Sequence, residues 1–510
     1  MIRFPGLPLA DRRLGLLVTG GVGLVLAVAY LLAPPMGRDL AAQMAHAELA
    51  EHHWPVLVDL RWYGGFNPLG YSVVSPPVMA LLGVRLTTAL GYLAGVLLLA
   101  ALLRRTNVAR PVAGAVTGAV CLTGNLATSR TTFTVGLAVG LGALLALASG
   151  RFRVTAALAV LGALTSPVVG LFLGLCGAAL ILSGHRRSGA TLAASAGLPT
   201  VAVGLAFGNG GRQSFGSQYA LVACLVCLAV AAVCWRRPTV RWGALLSGGL
   251  VAAAYLLPTP VGTNAARLPE LFAAPVIVAA ATLPSVSVVA ATAAVAWLVP
   301  PVSLDEVRDR GDPALHAGFY APLLDQLVTR GVAGPIEVVP TRRRGEAAAV
   351  VRVVPIARGW LRQVDIDRNP LFYNETLNAD TYRRWLDDNA VSWVAIARAP
   401  HDWAAPGEAT LVRRGLPYLR PAWSDSTWTL YAVTDPQAVV SPPGRVVARD
   451  EVSLTVELPE PGEYQLRVRW SRFLSASAGC VRQAPGGWSI LVVEQPGPTT
   501  IVGSITPRHC

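Results

Sequence analysis

The sequence predicts a polytopic, all-α membrane bundle of about eleven transmembrane helices, followed by an exported C-terminal region with an α/β part and a small β-sandwich. Apolar residues make up 53% of the 510 residues and charged residues only 14%, against about 25% in a typical soluble protein. The charge also changes along the chain. Residues 1–300 hold 19 Arg and 6 acidic residues, whereas residues 301–510 hold 23 of each. Residues 1–300 are therefore expected in lipid and residues 301–510 in water.

Eleven apolar runs account for the predicted bundle. A membrane-spanning helix needs about 20 apolar residues, and several of the runs are shorter, so the count of eleven is approximate. The runs cover residues 14–33, 86–103, 110–128, 132–149, 154–166, 167–183, 190–207, 218–235, 242–257, 269–283 and 285–300.

The positions of the basic residues predict the orientation. All 42 are Arg, which indicates a high-GC genome such as that of an actinobacterium. Those before residue 300 lie in short gaps between apolar runs, which argues against a nucleic-acid-binding face. Because cytoplasmic loops are enriched in basic residues, the N-terminus is expected in the cytoplasm and residues 301–510 outside the plasma membrane. Thirteen of the 19 fall on the cytoplasmic side: Arg3, Arg12, Arg13, Arg104, Arg105, Arg110, Arg151, Arg153, Arg186, Arg187, Arg236, Arg237 and Arg241.

A long first external loop, residues 34–85, collects polar and aromatic residues. Asp39, Gln43 and His46 recur at helical spacing, and we predict an amphipathic helix on the outer membrane surface. Trp54, Trp62 and Tyr63 follow in a segment rich in Gly and Pro. The other predicted external turns carry further polar residues, among them Arg130, Arg212, Asn264 and Arg267. A functional site is therefore expected at the external mouth of the bundle.

This arrangement resembles the GT-C superfamily of membrane glycosyltransferases, and in particular actinobacterial membrane proteins of that type. The resemblance rests on Gly37-Arg38-Asp39 after the first run, the spacing of Asp39, Gln43 and His46, and the turn with Asn264 and Arg267. The resemblance also rests on the layout of about eleven spans followed by a Cys-containing, β-rich C-terminus. It implies transfer of a sugar from a polyprenyl-phosphate donor to a cell-envelope glycan acceptor at the outer membrane face.

The resemblance also implies a role for each candidate residue. Asp39 is expected to act as the base that takes the proton of the acceptor hydroxyl. Arg130, Arg212 and Arg267 would stabilise the departing phosphate. Many members of the superfamily have a second acid beside the first, and Asp39 has no adjacent one, so no metal ligands are predicted and a divalent metal stays open. The remaining expected substrate contacts are Gln43, His46, Trp54, Trp62, Tyr63 and Asn264.

Structural alternatives exist for the same residues. Asp39 could cap the helix that follows it, because an Asp at a helix N-terminus satisfies free amides. His46 could be a metal ligand. The Trp and Tyr residues could be anchors of the interfacial aromatic belt, and Arg267 could be a simple interfacial cation.

The C-terminal region divides into an α/β domain, residues 301–435, and a β-sandwich, residues 436–510. Strands are predicted at 336–339, 348–354, 393–396 and 428–431, and helices at 319–330 and 380–389. Residues 452–458 and 464–470 alternate between apolar and polar, as strands of a sandwich do. Such a region is expected to cover the mouth of the bundle or to bind polysaccharide.

Cys480 and Cys510 are predicted to form a disulfide. The chain has seven Cys, and the other five lie in apolar runs, where Cys acts as a small buried hydrophobe. Only these two lie in the region placed in an oxidising compartment.

Two other functions are compatible with the sequence. A transporter or flippase for a lipid-linked or small substrate would share the membrane bundle, but no acidic residue occurs between residues 60 and 269, and ion-coupled pathways are commonly marked by intramembrane carboxylates. A non-catalytic envelope scaffold with a degenerate GT-C core would tolerate the loss of Asp39, whereas an enzyme would not.

The predicted orientation can be measured with reporter fusions. A reporter that is active only outside the cytoplasm should be inactive when fused after residue 185 and active when fused after residue 300, because the Arg asymmetry places these positions on opposite sides. Activity at 185, or none at 300, would contradict the orientation.

Overall fold

The computed structural model describes residues 9–302, 304–332 and 334–510, and the chain forms two compact units. The helical unit comprises Met1–Gly37, Ser72–Ala206 and Arg212–Arg310. The C-terminal unit comprises Gly311–Cys510 together with Arg38–Tyr71 and Phe207–Gly211. Most of the predicted first external loop therefore packs with residues far away in the sequence. Arg3, which contributes to the predicted cytoplasmic charge, lies outside the described residues.

Each of the eleven apolar runs coincides with one helix, namely α1 and α4–α13 in the numbering below. The helices are α1 (Leu9–Leu32), α2 (Leu40–His52), α3 (Ser75–Leu82), α4 (Val84–Arg105), α5 (Pro111–Ala127), α6 (Thr131–Ala148), α7 (Phe152–Thr165), α8 (Pro167–Leu182), α9 (Arg186–Phe207), α10 (Ser217–Val233), α11 (Pro238–Leu256), α12 (Arg267–Ala280), α13 (Ser285–Leu298), α14 (Leu304–Arg308), α15 (Ala317–Thr329), α16 (Glu346–Ala349), α17 (Arg362–Arg368), α18 (Ala379–Asp388) and α19 (Pro406–Arg413).

Among the described residues, four helices are long and apolar enough to cross a membrane: Leu14–Leu32 within α1, and α4, α6 and α9. Five shorter apolar helices accompany them, namely α5, α7, α8, α10 and α13. Side chains of α1 and α4–α9 form one apolar cluster that includes Tyr92, Leu122 and Phe172, whereas those of α10 and α13 belong to another. A helical, membrane-type fold is thus confirmed, whereas the number of helices that cross the bilayer stays a prediction.

Small residues allow the helices of this unit to approach closely. A Cβ added at Gly114 on α5 would lie 2.5 Å from the Cβ of Ala279 on α12. A Cβ at Gly177 on α8 would lie 2.6 Å from the backbone nitrogen of Ala193 on α9. Because lipid provides no hydrophobic force between helices, such backbone-to-backbone packing is the main source of their association.

The C-terminal unit contains three sheets. The first has the order β1-β2-β4-β3, in which β1 and β2 are parallel and the other pairs antiparallel. The other two, β7-β10-β9 and β5-β6-β11-β8, are antiparallel. The strands are β1 (Ile336–Val338), β2 (Trp393–Ala397), β3 (Leu419–Ser424), β4 (Trp428–Val433), β5 (Arg445–Arg449), β6 (Ser453–Leu458), β7 (Gly462–Arg469), β8 (Leu474–Ala476), β9 (Cys480–Gln483), β10 (Trp488–Val493) and β11 (Gly497–Gly503).

The two C-terminal sheets share one hydrophobic core, as the inner faces of a β-sandwich do. Leu454 and Val456 of β6, Leu466 of β7 and Leu491 of β10 belong to one fully buried cluster. These residues alternate with exposed or half-buried neighbours, which is the pattern that predicted the strands.

The predicted strand at residues 348–354 is wrong. Ala348 and Ala349 belong to α16, and Val350–Arg352 form a 3₁₀ turn. Residues 347–351 are all buried in the core of the C-terminal unit. A short apolar run that is buried on every side has no periodicity that separates a strand from a helix, which explains the error.

The predicted position of α2 on the membrane surface is also wrong. Eight of its 13 residues are buried, including the polar Gln43 and His46. Ala41, Ala42 and Ala45 pack in the same cluster as Ala348 and Ala349 of α16. Gln43 and His46 therefore face the protein interior and not a headgroup layer, whereas Glu51 and His52 at the end of α2 are exposed.

The predicted disulfide between Cys480 and Cys510 is confirmed, with a Cα–Cα distance of 5.2 Å across a separation of 30 residues. Cys480 lies at the start of β9, and the backbone N–H of Val481 donates a hydrogen bond to the carbonyl of Arg508. The bond therefore fixes Cys510 to β9, an edge strand of its sheet.

Replacing both residues (Cys480→Ser with Cys510→Ser) should lower the free energy of unfolding of the C-terminal unit by about 3–4 kcal/mol, because closing a loop of this length restricts the unfolded chain. Thermal unfolding of the purified full-length protein measures the effect, with Cys176→Ala as a control that removes a thiol outside the disulfide. An unchanged midpoint in the double variant would contradict the expectation.

Candidate functional site

Asp39 lies at the N-terminal end of α2 and is 6% exposed. Its carbonyl accepts the first hydrogen bond of the helix, from the backbone N–H of Gln43 at 3.1 Å. Its side chain accepts none from the amides of the first turn. The expected alternative of a capping carboxylate is therefore wrong, and capping does not account for the burial of this acid.

One turn further along α2, Gln43 and His46 contact the aromatic side chains of Tyr71 and Trp62. The amide of Gln43 donates to the hydroxyl of Tyr71 at 2.5 Å. The His46 ring stacks on Tyr71 with a centroid distance of 4.8 Å and contacts Trp62 edge-on at 5.6 Å. Burial lowers the pKa of His46 to about 4, so the ring is neutral at physiological pH. His46 thus acts as an aromatic, uncharged member of this cluster.

A buried ion pair fixes the chain beside α2. Two of the three guanidinium nitrogens of Arg61, Nε and Nη2, donate to the carboxylate of Asp59, at 3.0 and 2.8 Å. Nη2 also donates to the carbonyl of Ala45 in α2 at 3.0 Å. Both members of the pair are at most 3% exposed. A bidentate ion pair of this kind fixes the relative orientation of its two side chains, and the further bond from Arg61 to Ala45 therefore holds α2 in position.

Trp62 and Tyr63, which the sequence analysis assigned to sugar stacking or interfacial anchoring, are core residues. They are 0% and 1% exposed. The Trp62 indole N–H donates to the carbonyl of Ala347 at 3.1 Å, and the Tyr63 hydroxyl donates to that of Leu361 at 3.0 Å. Neither role predicted for them fits this burial. Trp54 is half-buried.

Two of the predicted cations lie together in the helical unit, at the N-terminal ends of α6 and α12. Arg130 precedes α6 and pairs with Glu270 of α12 at 3.4 Å. Arg267 begins α12, and its guanidinium lies over the ring of Phe133 of α6, 5.0 Å from the centroid. Helix N-termini carry partial positive charge, so this corner favours an anion. Asn264 is half-buried in the turn before α12, and Arg212 is exposed in the segment after α9.

The segment after α1 is fixed to the same corner of the helical unit. The Ser129 hydroxyl donates to the carbonyl of Met36 at 2.7 Å. Gly37 has a φ of 103°, and a Cβ there would lie 2.5 Å from the carbonyl carbon of Thr128. Only glycine fits this position, for both conformational and steric reasons. Gly37 precedes Asp39 by two residues.

A buried ionic network that no sequence pattern predicted lies in the C-terminal unit. Arg358, 3% exposed, donates through Nε and Nη2 to Asp365 at 3.1 and 2.9 Å, and through Nη1 to Glu408 at 2.9 Å. Glu337 lies 3.9 Å from the same Nη1. Single charges spread over 70 residues give no sequence signal of this kind, since the fold alone brings them together.

The network has more carboxylates than cations. Arg344 pairs with Asp365 at 3.1 Å, and Arg362 donates to Asp402 through both Nη1 and Nη2, at 2.9 and 2.5 Å. Four acids (Asp365, Asp402, Glu337 and Glu408) thus face three arginines (Arg344, Arg358 and Arg362). One proton on the pair of glutamates makes the group neutral.

The pKa shifts of the acids agree with this count. Although burial opposes its ionisation, the charges of Arg358 and Arg344 hold the pKa of Asp365 well below its ordinary value. Burial and the adjacent Glu408 raise the pKa of Glu337 well above 4.5. Within the described residues, no group of three or more His, Cys, Asp or Glu side chains has a metal-binding arrangement. The charges of Arg358 and Arg344 therefore stabilise the ionised form of the buried Asp365.

One exposed aromatic ring stands beside this network. Trp403 is 64% exposed. The Arg362 guanidinium lies 4.8 Å from its ring centroid, and Tyr373 contacts it edge-on at 5.7 Å. Because Asp402 holds Arg362 in place, the indole is supported from one side and open to solvent on the other.

A proton shared by Glu337 and Glu408 would make the stability of the C-terminal unit depend on pH. The folded state binds this proton more tightly than the unfolded state, so the stability of the C-terminal unit should fall as the pH rises above about 4.5. Glu337→Gln supplies a permanent neutral donor and should flatten this dependence by up to about 1.4 kcal/mol per pH unit. Thermal midpoints of the full-length protein between pH 5 and 8 measure it. Glu463→Gln, at an exposed ion pair with Arg482, is the matched control. Parallel pH profiles for the wild type and Glu337→Gln would disprove the shared proton.

No protein-family model and no curated protein matches the chain. Three solved structures of arabinofuranosyltransferase AftD from mycobacteria, two of them of a mutant, are similar to it. They are 13%, 15% and 12% identical, with TM-scores of 0.46, 0.44 and 0.44. The matches cover 99%, 91% and 98% of this chain, but only 60%, 42% and 60% of those chains. The similar structures are of a glycosyltransferase, the class that the sequence resembles, and they assign no residue role or activity to this chain.

Proposed function

We propose that the chain is a membrane glycosyltransferase that transfers a sugar from a polyprenyl-phosphate donor to a cell-envelope glycan acceptor, with Asp39 as the base. The observation that carries the proposal is the position of the Asp39 carboxylate, which is 6% exposed and lies at the N-terminal end of α2. A carboxylate in a fixed position is the kind of group that serves as a general base.

The surroundings of Asp39 support a preorganised base. The next turn of α2 is fixed by the bond from Gln43 to Tyr71. Arg61 holds the following turn through the carbonyl of Ala45. Because both contacts involve buried side chains of Gln43 and Arg61, the backbone that carries Asp39 has little freedom, which is what a catalytic group needs.

Arg130 and Arg267 supply the charge that the leaving group requires in this proposal. Both stand at helix N-termini and both are held by contacts between α6 and α12. In the reaction, Asp39 takes the proton of the acceptor hydroxyl, and the oxygen of the acceptor forms a bond to the anomeric carbon of the sugar. The bond from that carbon to the phosphate oxygen breaks, and the arginines stabilise the phosphate that leaves. Attack from the side opposite the phosphate inverts the configuration.

The proposal includes a multi-pass position in the plasma membrane, with about eleven spans and the C-terminal unit outside. The coincidence of every apolar run with a helix supports the number of spans. The Arg asymmetry supports the orientation. The disulfide supports an oxidising compartment for the C-terminus.

A scaffold with a degenerate GT-C core is the second candidate. The burial of Trp62 and Tyr63 favours it, because two expected sugar contacts serve the core of the C-terminal unit. The two functions differ in their dependence on the charge of Asp39.

Asp39→Asn preserves the shape of the side chain and removes the base. It should reduce sugar transfer by roughly 10²–10⁴-fold, the usual contribution of a general base. Transfer from a radiolabelled polyprenyl-phosphate sugar to an envelope glycan acceptor in isolated membranes measures the effect. Glu51→Gln, at an exposed position of the same helix, is the matched control and should retain full activity.

Two outcomes would contradict the proposal. Normal transfer by Asp39→Asn would exclude Asp39 as the base. Wild-type membranes without transfer, but with envelope assembly that depends on the presence of the protein and not on Asp39, would favour the scaffold. The thermal midpoint of Asp39→Asn checks that the variant is folded.

A further inference from the structure

The helical unit encloses a cavity of about 860 Å³ that the proposed reaction does not use. Its walls come from α4, α6, α8, α10, α11 and α12 and consist mainly of Leu, Val, Ala and Phe side chains. This volume is in the range of sites for organic ligands, about 300–1,000 Å³. A cavity with such walls fits a hydrocarbon chain and not a sugar.

The cavity is elongated along α12. Its lining residues on this helix extend from Leu268 to Ala280, which corresponds to about 18 Å at a rise of 1.5 Å per residue. The hydrocarbon core of a bilayer is about 30 Å thick, so the cavity is about as long as one leaflet.

One end of the cavity is basic. Arg105 at the end of α4, Arg237 before α11 and His185 before α9 line it there. Arg105 donates to the carbonyl of Ala148 at 3.2 Å, and Arg237 donates to that of Asn107 at 3.5 Å. None of the described residues that line the cavity is acidic. The two arginines at this end therefore bond to backbone carbonyls, and no carboxylate among the described lining residues neutralises their charge.

We propose that this cavity binds one chain of an anionic phospholipid, whose phosphate lies between Arg105 and Arg237. An apolar body with a basic mouth is complementary to an acyl chain with an anionic headgroup. Basic pockets between transmembrane helices are the usual binding sites of such headgroups. Under the predicted orientation the lipid belongs to the cytoplasmic leaflet. The inference does not depend on the proposed transfer reaction.

Native mass spectrometry of the full-length protein, released from detergent with added phosphatidylglycerol or phosphatidylcholine, tests the proposal. The wild type should retain one phosphatidylglycerol and bind phosphatidylcholine at least about tenfold more weakly, since a charged pair contributes about 1.4 kcal/mol or more. The double variant Arg105→Gln with Arg237→Gln should lose this preference.

Matched controls separate the site from general charge attraction. Arg104→Gln with Arg236→Gln removes the same charge at the neighbouring positions, which do not line the cavity, and should bind as the wild type does. Ala244→Trp places an indole in the cavity and should weaken retention of either lipid. Leu225→Trp, at a 52% exposed position outside the cavity lining, should not.

Three results would overturn the inference. Equal losses in the two double variants would mean that the lipid responds to surface charge alone. Equal retention of both phospholipids by the wild type would remove the role of the basic end. Undiminished retention by Ala244→Trp would place the lipid outside the cavity.

Discussion

Trp62 fills the core of the C-terminal unit, and the rest of that unit depends on its burial. The ring stacks on Phe66, its N–H bonds to Ala347, and Gly359 lies so close that a Cβ there would be 2.5 Å from it. Residues 38–71 thereby become part of a domain whose first strand, β1, begins nearly 300 residues after residue 38. Because this packing also fixes α2, the position of Asp39 is set by a contact between distant parts of the chain.

The two units handle charge in opposite ways. The helical unit has few acids, and its described arginines bond mainly to carbonyls or aromatic rings, as Arg105 and Arg267 do. The C-terminal unit buries a dense network around Arg358. Removing one member of such a network leaves an uncompensated buried charge, so its geometry is stable only as a whole. The four carboxylates and three arginines of that network balance when the pair of glutamates binds one proton, a state that the raised pKa values of Glu337 and Glu408 favour.

The proposed base and the proposed lipid site put different demands on the structure. A base must be held within a fraction of an ångström, and the buried contacts of Gln43 and Arg61 provide this. A hydrocarbon chain needs only apolar volume and an anchor for its headgroup. The cavity between α4 and α12 provides both without any specific contact to the chain itself. Selectivity there would come from the charge at one end.

The sequence by itself determined the features that depend on local periodicity and composition. Apolar runs predicted the helices of the helical unit, alternation predicted β6 and β7, and the distribution of Cys predicted the disulfide of Cys480 with Cys510. Only the tertiary structure decided what each polar or aromatic residue contacts. Trp62 and His46 are buried by residues far away in sequence, Ala348 belongs to a helix because its surroundings are apolar on every side, and Arg358 meets three acids through the fold alone. Periodicity records which side of an element is apolar, but not what covers it.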